Sequence, residues 1–175
     1  MYMSFGSAFL LFSILLLYYY NFTTSGVLTA NIDALSFDEY VYPVWLQIVS
    51  FSGFLICFLI KMAVYPFQLW YVDVQKNSPI PLNMIMSSVI LSMGAYGLIR
   101  FNMQIFPTTF KTFAVYLLAL MVITIICSAL NGFLQKNTKQ IISYYGIIQS
   151  GFIIIGLVSI NAIGLTGAIF HVFAQ

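Results

Sequence analysis

One lysine, Lys61, stands alone in a long apolar stretch of this chain. From residue 41 to residue 72 it is the only formally charged side chain, with Glu39 just before the stretch and Asp73 just after it. At about 1.5 Å per residue, a straight helix of this length would run to about 48 Å. The hydrocarbon core of a bilayer is only about 30 Å thick. The stretch therefore cannot be one straight membrane span.

Pro66 supplies the break that such a stretch needs. A proline lacks the amide hydrogen and its ring clashes with the preceding turn, so a helix kinks or ends there. The sequence predicts a helix over residues 43–65, an unwound turn near Pro66 and a second half-helix to about Lys76. Broken helices at membrane depth occur where they are buried in protein or line a wet cavity.

The composition is that of a membrane protein. Hydrophobic residues make up 62% of the 175 residues and charged residues 6%, whereas a soluble domain is about one-quarter charged. This predicts an all-α, polytopic bundle of five or six transmembrane helices, one of them broken near Pro66, in a single membrane domain over residues 1–175. The net charge of +2 gives no reason to expect a nucleic-acid partner, and lipids are the expected surroundings.

The other apolar stretches place the remaining spans. We predict spans at residues 4–22, 82–99, 112–133 and 141–160, and a sixth, shorter apolar stretch from about residue 164. The third span is expected to stop at Arg100. The longest polar connection, residues 23–40, carries three of the four acids of the chain, namely Asp33, Asp38 and Glu39.

The basic residues predict the orientation of the bundle. Three of them fall in turns on one side of the membrane, namely Lys76, Lys136 and Lys139. Arg100 and Lys111 fall on the other side, together with the acidic connection. Because positive loop residues favour the inner side, the side with three lysines is predicted to be inside.

The sequence contains no pattern for catalysis or metal binding. It has no Gly-rich phosphate loop, no Cys/His metal set and one histidine in all. Cys57 and Cys127 both lie in apolar spans, where we expect them to be reduced packing residues. No catalytic residue, cofactor site or metal site is therefore predicted in this chain, and redox chemistry carried by it alone is excluded.

Lys61 is the first candidate for function. A lysine at the centre of a span costs about 2.5–3.5 kcal/mol on insertion scales, so one without a role would be lost. A lysine poised between burial and a nearby carboxylate can take and release a proton. The alternative is a lysine near a helix end that reaches the interface, but the break at Pro66 and Trp70 beyond it place Lys61 away from an end.

Three further polar residues in the apolar spans are candidates for a proton path. Ser92, with Ser87 and Ser88 on the same span, holds water or simply packs by bonding back to a carbonyl. Gln149 lies at mid-depth, where hydrogen bonding between helices is its structural alternative. His171 is either a satisfied core histidine or a group that handles protons within the membrane.

Four segments carry a resemblance to a known family. They read IKMAVYPFQLWYVDVQKNSPIP, SSVILSMGAYGLIRF, KNTKQIISYYGIIQSGFIIIGL and GLTGAIFHVFAQ. They resemble the middle of the antiporter-like membrane subunits 2, 4 and 5 of NADH:ubiquinone oxidoreductase, respiratory complex I, which are akin to cation/proton antiporter subunits. The family's broken helix, with its lysine, proline, tryptophan, aspartate and second proline, is matched by Lys61, Pro66, Trp70, Asp73 and Pro79.

The resemblance implies a membrane-arm subunit of a proton-pumping complex. In the family, quinone reduction elsewhere drives proton transfer along buried lysines and acids, and Lys61 matches the lysine that pairs with a glutamate on an earlier helix. The implied partners are other membrane-arm subunits, including a chain that supplies the missing helices and a carboxylate facing Lys61. NADH, FMN, Fe–S clusters and ubiquinone are expected elsewhere in the complex. This chain would then be a split or shortened subunit.

The relay that the resemblance implies is altered here. The family's lysine in the next helix falls near Leu91 or Ser92, and a frequent histidine of the later helix is Gln149. Another histidine near the end falls at Gln175, with His171 one turn earlier. The predicted proton relay is Lys61, Ser92, Gln149 and His171.

The sequence also leads to expectations about which subunit the chain resembles and which membrane contains it. The segment from Asp73 to Pro81 favours subunit 2, and the segment from Met93 to Arg100 is the argument for subunit 4. The expected location is the mitochondrial inner membrane, with a bacterial plasma membrane as the alternative. Two other functions stay open: a scaffold subunit that has lost its proton path, and a fragment of a cation/proton antiporter.

Overall fold

The computed structural model describes residues 2–25 and 42–175, and these residues form an all-helical bundle. The helices, in chain order, are α1 (Tyr2–Ser25), α2 (Val44–Lys61), α3 (Leu69–Asn77), α4 (Ile80–Met103), α5 (Pro107–Leu134), α6 (Thr138–Val158) and α7 (Ala162–Ala174). The predicted acidic connection with Asp33, Asp38 and Glu39 lies outside the described residues.

Five of the described helices, α1, α2, α4, α5 and α6, are long and apolar enough to cross a membrane. A sixth, α7, is apolar but shorter. The predicted fold class, an all-α membrane bundle with one broken helix, is therefore confirmed.

The break in the second span lies earlier than predicted. The helix ends at Lys61 instead of continuing to Tyr65, and α3 begins at Leu69. Ala63 takes a positive φ of 53°, a left-handed conformation that ends a helix. The residue before a proline is also disfavoured in the α region, so the chain leaves the helix before it reaches Pro66.

The third span is longer than predicted. It runs from Ile80 through Arg100 to Met103, and two of its segments, Met86–Ile90 and Leu98–Met103, are π-helical. The Arg100 guanidinium donates a hydrogen bond of 2.7 Å to the Gln104 side-chain oxygen one turn on. The prediction that the helix stops at Arg100 was wrong because the charged group is satisfied along the helix itself.

Local sequence explains where α5 and α6 begin. Pro107 opens α5 at a position where the missing amide hydrogen costs nothing. The Asn137 side chain accepts a hydrogen bond of 3.2 Å from the Lys139 amide and so caps α6.

The core forms around α2, which packs against α1, α4 and α5. Phe51, Phe54 and Phe58 of α2 are buried in it. Phe54 stacks on Phe101 of α4 with ring centroids 5.4 Å apart. On the other side of the bundle, α6 packs against α5 and α7 and also contacts α3. The break that follows α2 is thereby enclosed between α4 and α6.

Candidate functional site

The helix break is enclosed by protein. Met62, Ala63 and Val64 directly follow Lys61 and have no exposed surface. Gly94 of α4 lies so close to Met62 that an added Cβ would come within 2.4 Å of the Met62 Cγ. Unwound backbone at membrane depth is tolerated only when its polar groups are satisfied by the protein or by water. In the break, Met62, Ala63 and Val64 are fully buried, whereas Tyr65 and Pro66 are exposed, so the protein itself must satisfy the polar groups of the buried part.

Side chains from other helices satisfy the backbone that the break frees. The Trp70 indole N–H donates to the Ile60 carbonyl at 2.9 Å, and the Ser150 hydroxyl of α6 donates to the Met62 carbonyl at 3.0 Å. In the same turn, the Ser128 hydroxyl of α5 donates to the Gln68 side-chain oxygen at 3.2 Å. These three bonds hold the break in one conformation from two sides.

Lys61 is the last residue of α2 and is half-buried. Contrary to the prediction, it does lie at a helix end, but this end leads into the buried turn rather than to a polar loop. The carbonyl groups at a helix C-terminus carry a partial negative charge, which stabilises an ammonium group there. Within the described residues, neither a hydrogen bond nor an ion pair engages the Lys61 ammonium group.

Gln149 and His171 line one cavity, together with Gln175. The cavity has a volume of about 370 Å³ and lies between α4, α6 and α7, with Ser87 and Gly146 among its other lining residues. The Gln175 side-chain amide donates to the Gly146 carbonyl at 3.4 Å. Two of the four residues predicted for the relay are thus brought to the same site.

Three polar atoms at this cavity are buried and have no hydrogen-bond partner among the described residues. They are the side-chain oxygens of Gln149 and Gln175 and the Nε2 atom of His171. An unsatisfied buried polar group costs about 1–3 kcal/mol. A polar cavity of this size has room for bridging waters, which would satisfy all three. The arrangement is therefore suited to holding water beside a group that can carry a proton.

A second cavity of about 380 Å³ adjoins the first. The two have Ser87 and Ile142 in common, and the second is also lined by Gln75, Asn83 and Lys139. The lining of both cavities is mainly apolar, with a few polar side chains among it.

Hydrogen bonds fix the polar lining of the second cavity. The Gln75 amide donates to the Tyr71 hydroxyl at 3.0 Å, and the Asn83 amide donates to the Gln75 carbonyl at 2.8 Å. The Lys139 ammonium group donates to the Ser78 carbonyl at 2.9 Å. Gln75 and Asn83 were not predicted as site residues. Gln75 lies before the turn between α3 and α4, and Asn83 lies after it. They line one cavity because α3 and α4 fold back on each other, which the sequence does not reveal.

Ser92 is not among the residues that line either cavity. Its hydroxyl donates to the Ser88 carbonyl within α4, as Ser87 and Ser88 do to the Met84 carbonyl. Ser92 lies between Leu91 and Gly94, and Gly94 packs against the break. One helix, α4, therefore connects the break at Lys61 with the cavity at Ser87.

The described residues contain no group of three or more His, Cys, Asp or Glu side chains that could hold a metal ion. Cys57 is buried and Cys127 half-buried, and neither forms a disulfide.

The sequence matches a protein family along almost its whole length. The family is described as NADH:quinone oxidoreductase/Mrp antiporter, TM, and the match covers residues 1–174. NAD(P)H-quinone oxidoreductase chain 4 2 of Thermosynechococcus vestitus is 36% identical over 175 residues, which are 100% of this chain and 32% of the relative. The chloroplastic chain 4 of Eucalyptus globulus subsp. globulus is 37% identical over 170 residues, 97% of this chain and 33% of the relative.

Solved structures have the same fold. A chain of the Mrp complex from a Dietzia species has a TM-score of 0.83 at 21% identity, over 98% of this chain and 30% of that chain. A chain of the membrane-bound sulfane sulfur reductase, an archaeal respiratory membrane complex, has a TM-score of 0.83 at 22% identity, over 97% and 34%. Identities this low support the fold alone.

The relatives named above bear on which subunit the chain resembles and on how much of that subunit it covers. They are all chain 4 proteins, so they do not support the preference for subunit 2. The chain spans about one-third of the length of these curated relatives. The family match itself covers nearly every residue, and the chain therefore belongs to the NADH:quinone oxidoreductase/Mrp antiporter transmembrane family.

Proposed function

We propose that this chain acts in proton translocation as part of a chain 4-type membrane subunit of an NAD(P)H-quinone oxidoreductase, a complex I-like enzyme. The observation that carries the proposal is the helix break, which presents Lys61 at the end of α2 and is closed by Trp70 and Ser150. The names of the relatives support the choice of complex and of chain 4 over chain 2.

The relay would use two polar regions joined by α4. Lys61 would take and release a proton at the break, and Ser92 would act from α4, the helix that contacts the break through Gly94 and the cavity through Ser87. Gln149 and His171 continue the path through waters that their unpartnered polar atoms bind. Gln149 cannot itself carry a proton as a histidine can, so it orients water while His171 exchanges the proton.

The partners follow from the same proposal. Other membrane-arm subunits would surround the chain, and a carboxylate from another part of the assembly would face Lys61. NADH, FMN, Fe–S clusters and ubiquinone would bind elsewhere in the complex. The named relatives come from a cyanobacterium and a chloroplast, which agrees better with a bacterial or bacterial-type membrane than with the mitochondrial inner membrane.

The test is Lys61→Met in the assembled complex. Methionine keeps the length of the side chain and removes the charge, so assembly should persist while proton translocation falls sharply. Protons moved per NADH oxidised are measured in sealed vesicles, and co-purification of the other subunits reports assembly. The matched control is Lys111→Met, because Lys111 is exposed near the start of α5, far from the break.

Two observations favour the alternative of a scaffold that has lost its proton path. No ion pair engages Lys61 within the described residues, and Gln149 stands where the family often has a histidine. If Lys61→Met pumps as many protons per NADH as the unchanged complex, the scaffold function replaces the relay. The antiporter-fragment alternative predicts cation-driven proton exchange in vesicles that contain no quinone-reducing subunits.

A further inference from the structure

A third cavity lies between α5 and α6 and is lined by residues other than Gln149 and His171. It is a groove of about 440 Å³ between the end of α5 and the start of α6, lined mainly by Ala129, Gly132, Ile141, Tyr144 and Ile148. We call it the α5–α6 groove. Gly132 gives it depth, since an added Cβ would come within 3.3 Å of the Tyr144 Cβ.

The surroundings of the groove are those of a lipid-facing surface. Both helices that form it are candidate membrane spans. Phe133 beside it is 89% exposed, and Leu134, Ile142 and Tyr145 are exposed as well. Apolar side chains at the surface of a membrane span have the acyl chains of lipids as their natural contact.

The lining of the groove is mainly apolar, with small side chains at Ala129 and Gly132. An acyl chain in the groove can bury its methylene groups against Ala129, Ile141 and Ile148.

A lysine lies next to the end of the groove at the turn before α6. Gln135 lines the groove at that end, and the exposed Lys136 is the next residue. Lys139 is three residues further on and lines the second cavity, where its ammonium group donates to the Ser78 carbonyl. That bond brings the α3 end with Lys76 and Asp73 to the same side, where three lysines and one aspartate give a positive formal net charge. Basic clusters beside membrane spans attract anionic lipid headgroups.

We propose that the α5–α6 groove binds one acyl chain of an anionic phospholipid, with the lipid phosphate held by Lys136 and the Gln135 side-chain amide at the turn. Gln149 and His171 do not line this groove, although Tyr145 lines both the groove and their cavity. The role of the lipid is to fix α5 against α6 at the end where the two helices are joined by a short turn.

The test measures lipid retained by the full chain in its native assembly, purified in mild detergent and exposed to equal amounts of phosphatidylglycerol and phosphatidylcholine. The unchanged protein should retain phosphatidylglycerol in about fivefold excess. Lys136→Gln should bring the ratio close to one, and Lys111→Gln, at the opposite end of α5, should leave it unchanged. Equal retention of both lipids by the unchanged protein would overturn the proposal.

Variants that fill the groove distinguish a bound acyl chain from other occupants. Ala129→Trp fills the groove, and Ile141→Trp does so from a side chain that is already partly exposed, which serves if the first variant is poorly folded. Both should lower total bound lipid, whereas the neighbouring exposed control Leu130→Trp should not. Unchanged lipid in the filled variants contradicts the proposal. Loss of another subunit with unchanged lipid would show instead that a protein helix sits on the groove.

Discussion

Trp70 shows how a single side chain stabilises a broken helix. Its indole N–H reaches back ten residues to the Ile60 carbonyl, and the ring packs against Tyr71 at a centroid distance of 5.7 Å. The sequence pattern placed Trp70 near the break but could not reveal this bond, which depends on how α3 folds back toward α2. Lys61 was found from its isolation in apolar sequence, whereas Ser150 and Gln68 were missed because their partners are distant along the chain.

Trp70→Phe tests the bond at the break. Phenylalanine keeps most of the packing and removes the N–H donor, so the Ile60 carbonyl loses one of its partners. We expect a loss of about 1–3 kcal/mol in the free energy of unfolding, seen as a lower thermal midpoint in detergent. Trp45→Phe is the matched control, since Trp45 is 61% exposed and its replacement should leave the midpoint almost unchanged. A stable Trp70→Phe variant would mean that the bond is dispensable.

A second prediction for a single residue concerns His171 in the candidate relay. His171→Phe removes the exchangeable proton from the cavity and leaves Gln149 and Gln175 without the partner that shares their water. We expect proton translocation to decrease while quinone reduction by the complex is retained. The control is Phe170→Leu, because Phe170 is 78% exposed on the same helix. Equal pumping in His171→Phe and the unchanged complex would remove His171 from the relay.

At the scale of elements, the contact between α2 and α4 sets the geometry around the break. Gly97 of α4 lies against the Phe58 ring, where an added Cβ would come within 2.1 Å of a ring carbon. Glycines such as Gly94 and Gly97 allow close approach of helices, but the sequence alone does not tell which helix approaches. The π-helical segments of α4 were not predicted at all, because the pattern of apolar residues does not distinguish them from ordinary helix.

Gly97→Ala should move α4 away from α2. Even one methyl group collides with the Phe58 ring, and overpacking of this kind costs about 1–3 kcal/mol. We expect a lower thermal midpoint, partly restored by adding Phe58→Leu. Gly167→Ala on α7 is the matched control, because nothing lies within 4 Å of the added Cβ; there alanine should stabilise by about 0.5–1 kcal/mol. Failure of Phe58→Leu to restore stability would place the strain elsewhere.

For the molecule as a whole, composition and span length were enough to give the fold class, but not the enclosure of the break or the two adjoining cavities. Those depend on which helices become neighbours, and a pattern of apolar residues carries little information on that choice. Lys76 and Lys139 were predicted to lie on the same side of the membrane. The bond from Lys139 to the Ser78 carbonyl agrees with this, because it brings the end of α3 and the start of α6 together.

The orientation can be tested with single cysteines. Lys136→Cys and Lys111→Cys lie at opposite ends of α5, so a membrane-impermeant maleimide added to sealed vesicles should label only one of them from each side. The native Cys57 and Cys127 lie within spans, and the unchanged protein should show little labelling. Labelling of both new cysteines from the same side would contradict α5 as a complete span.

Ser87 and Ile142 line both cavities and so lie where the two meet. Ser87 is the smaller of the two side chains, so a bulky residue at position 87 would take up space on both sides of this boundary. Such a substitution would make solvent access from the Lys139 side and exchange at His171 separately measurable.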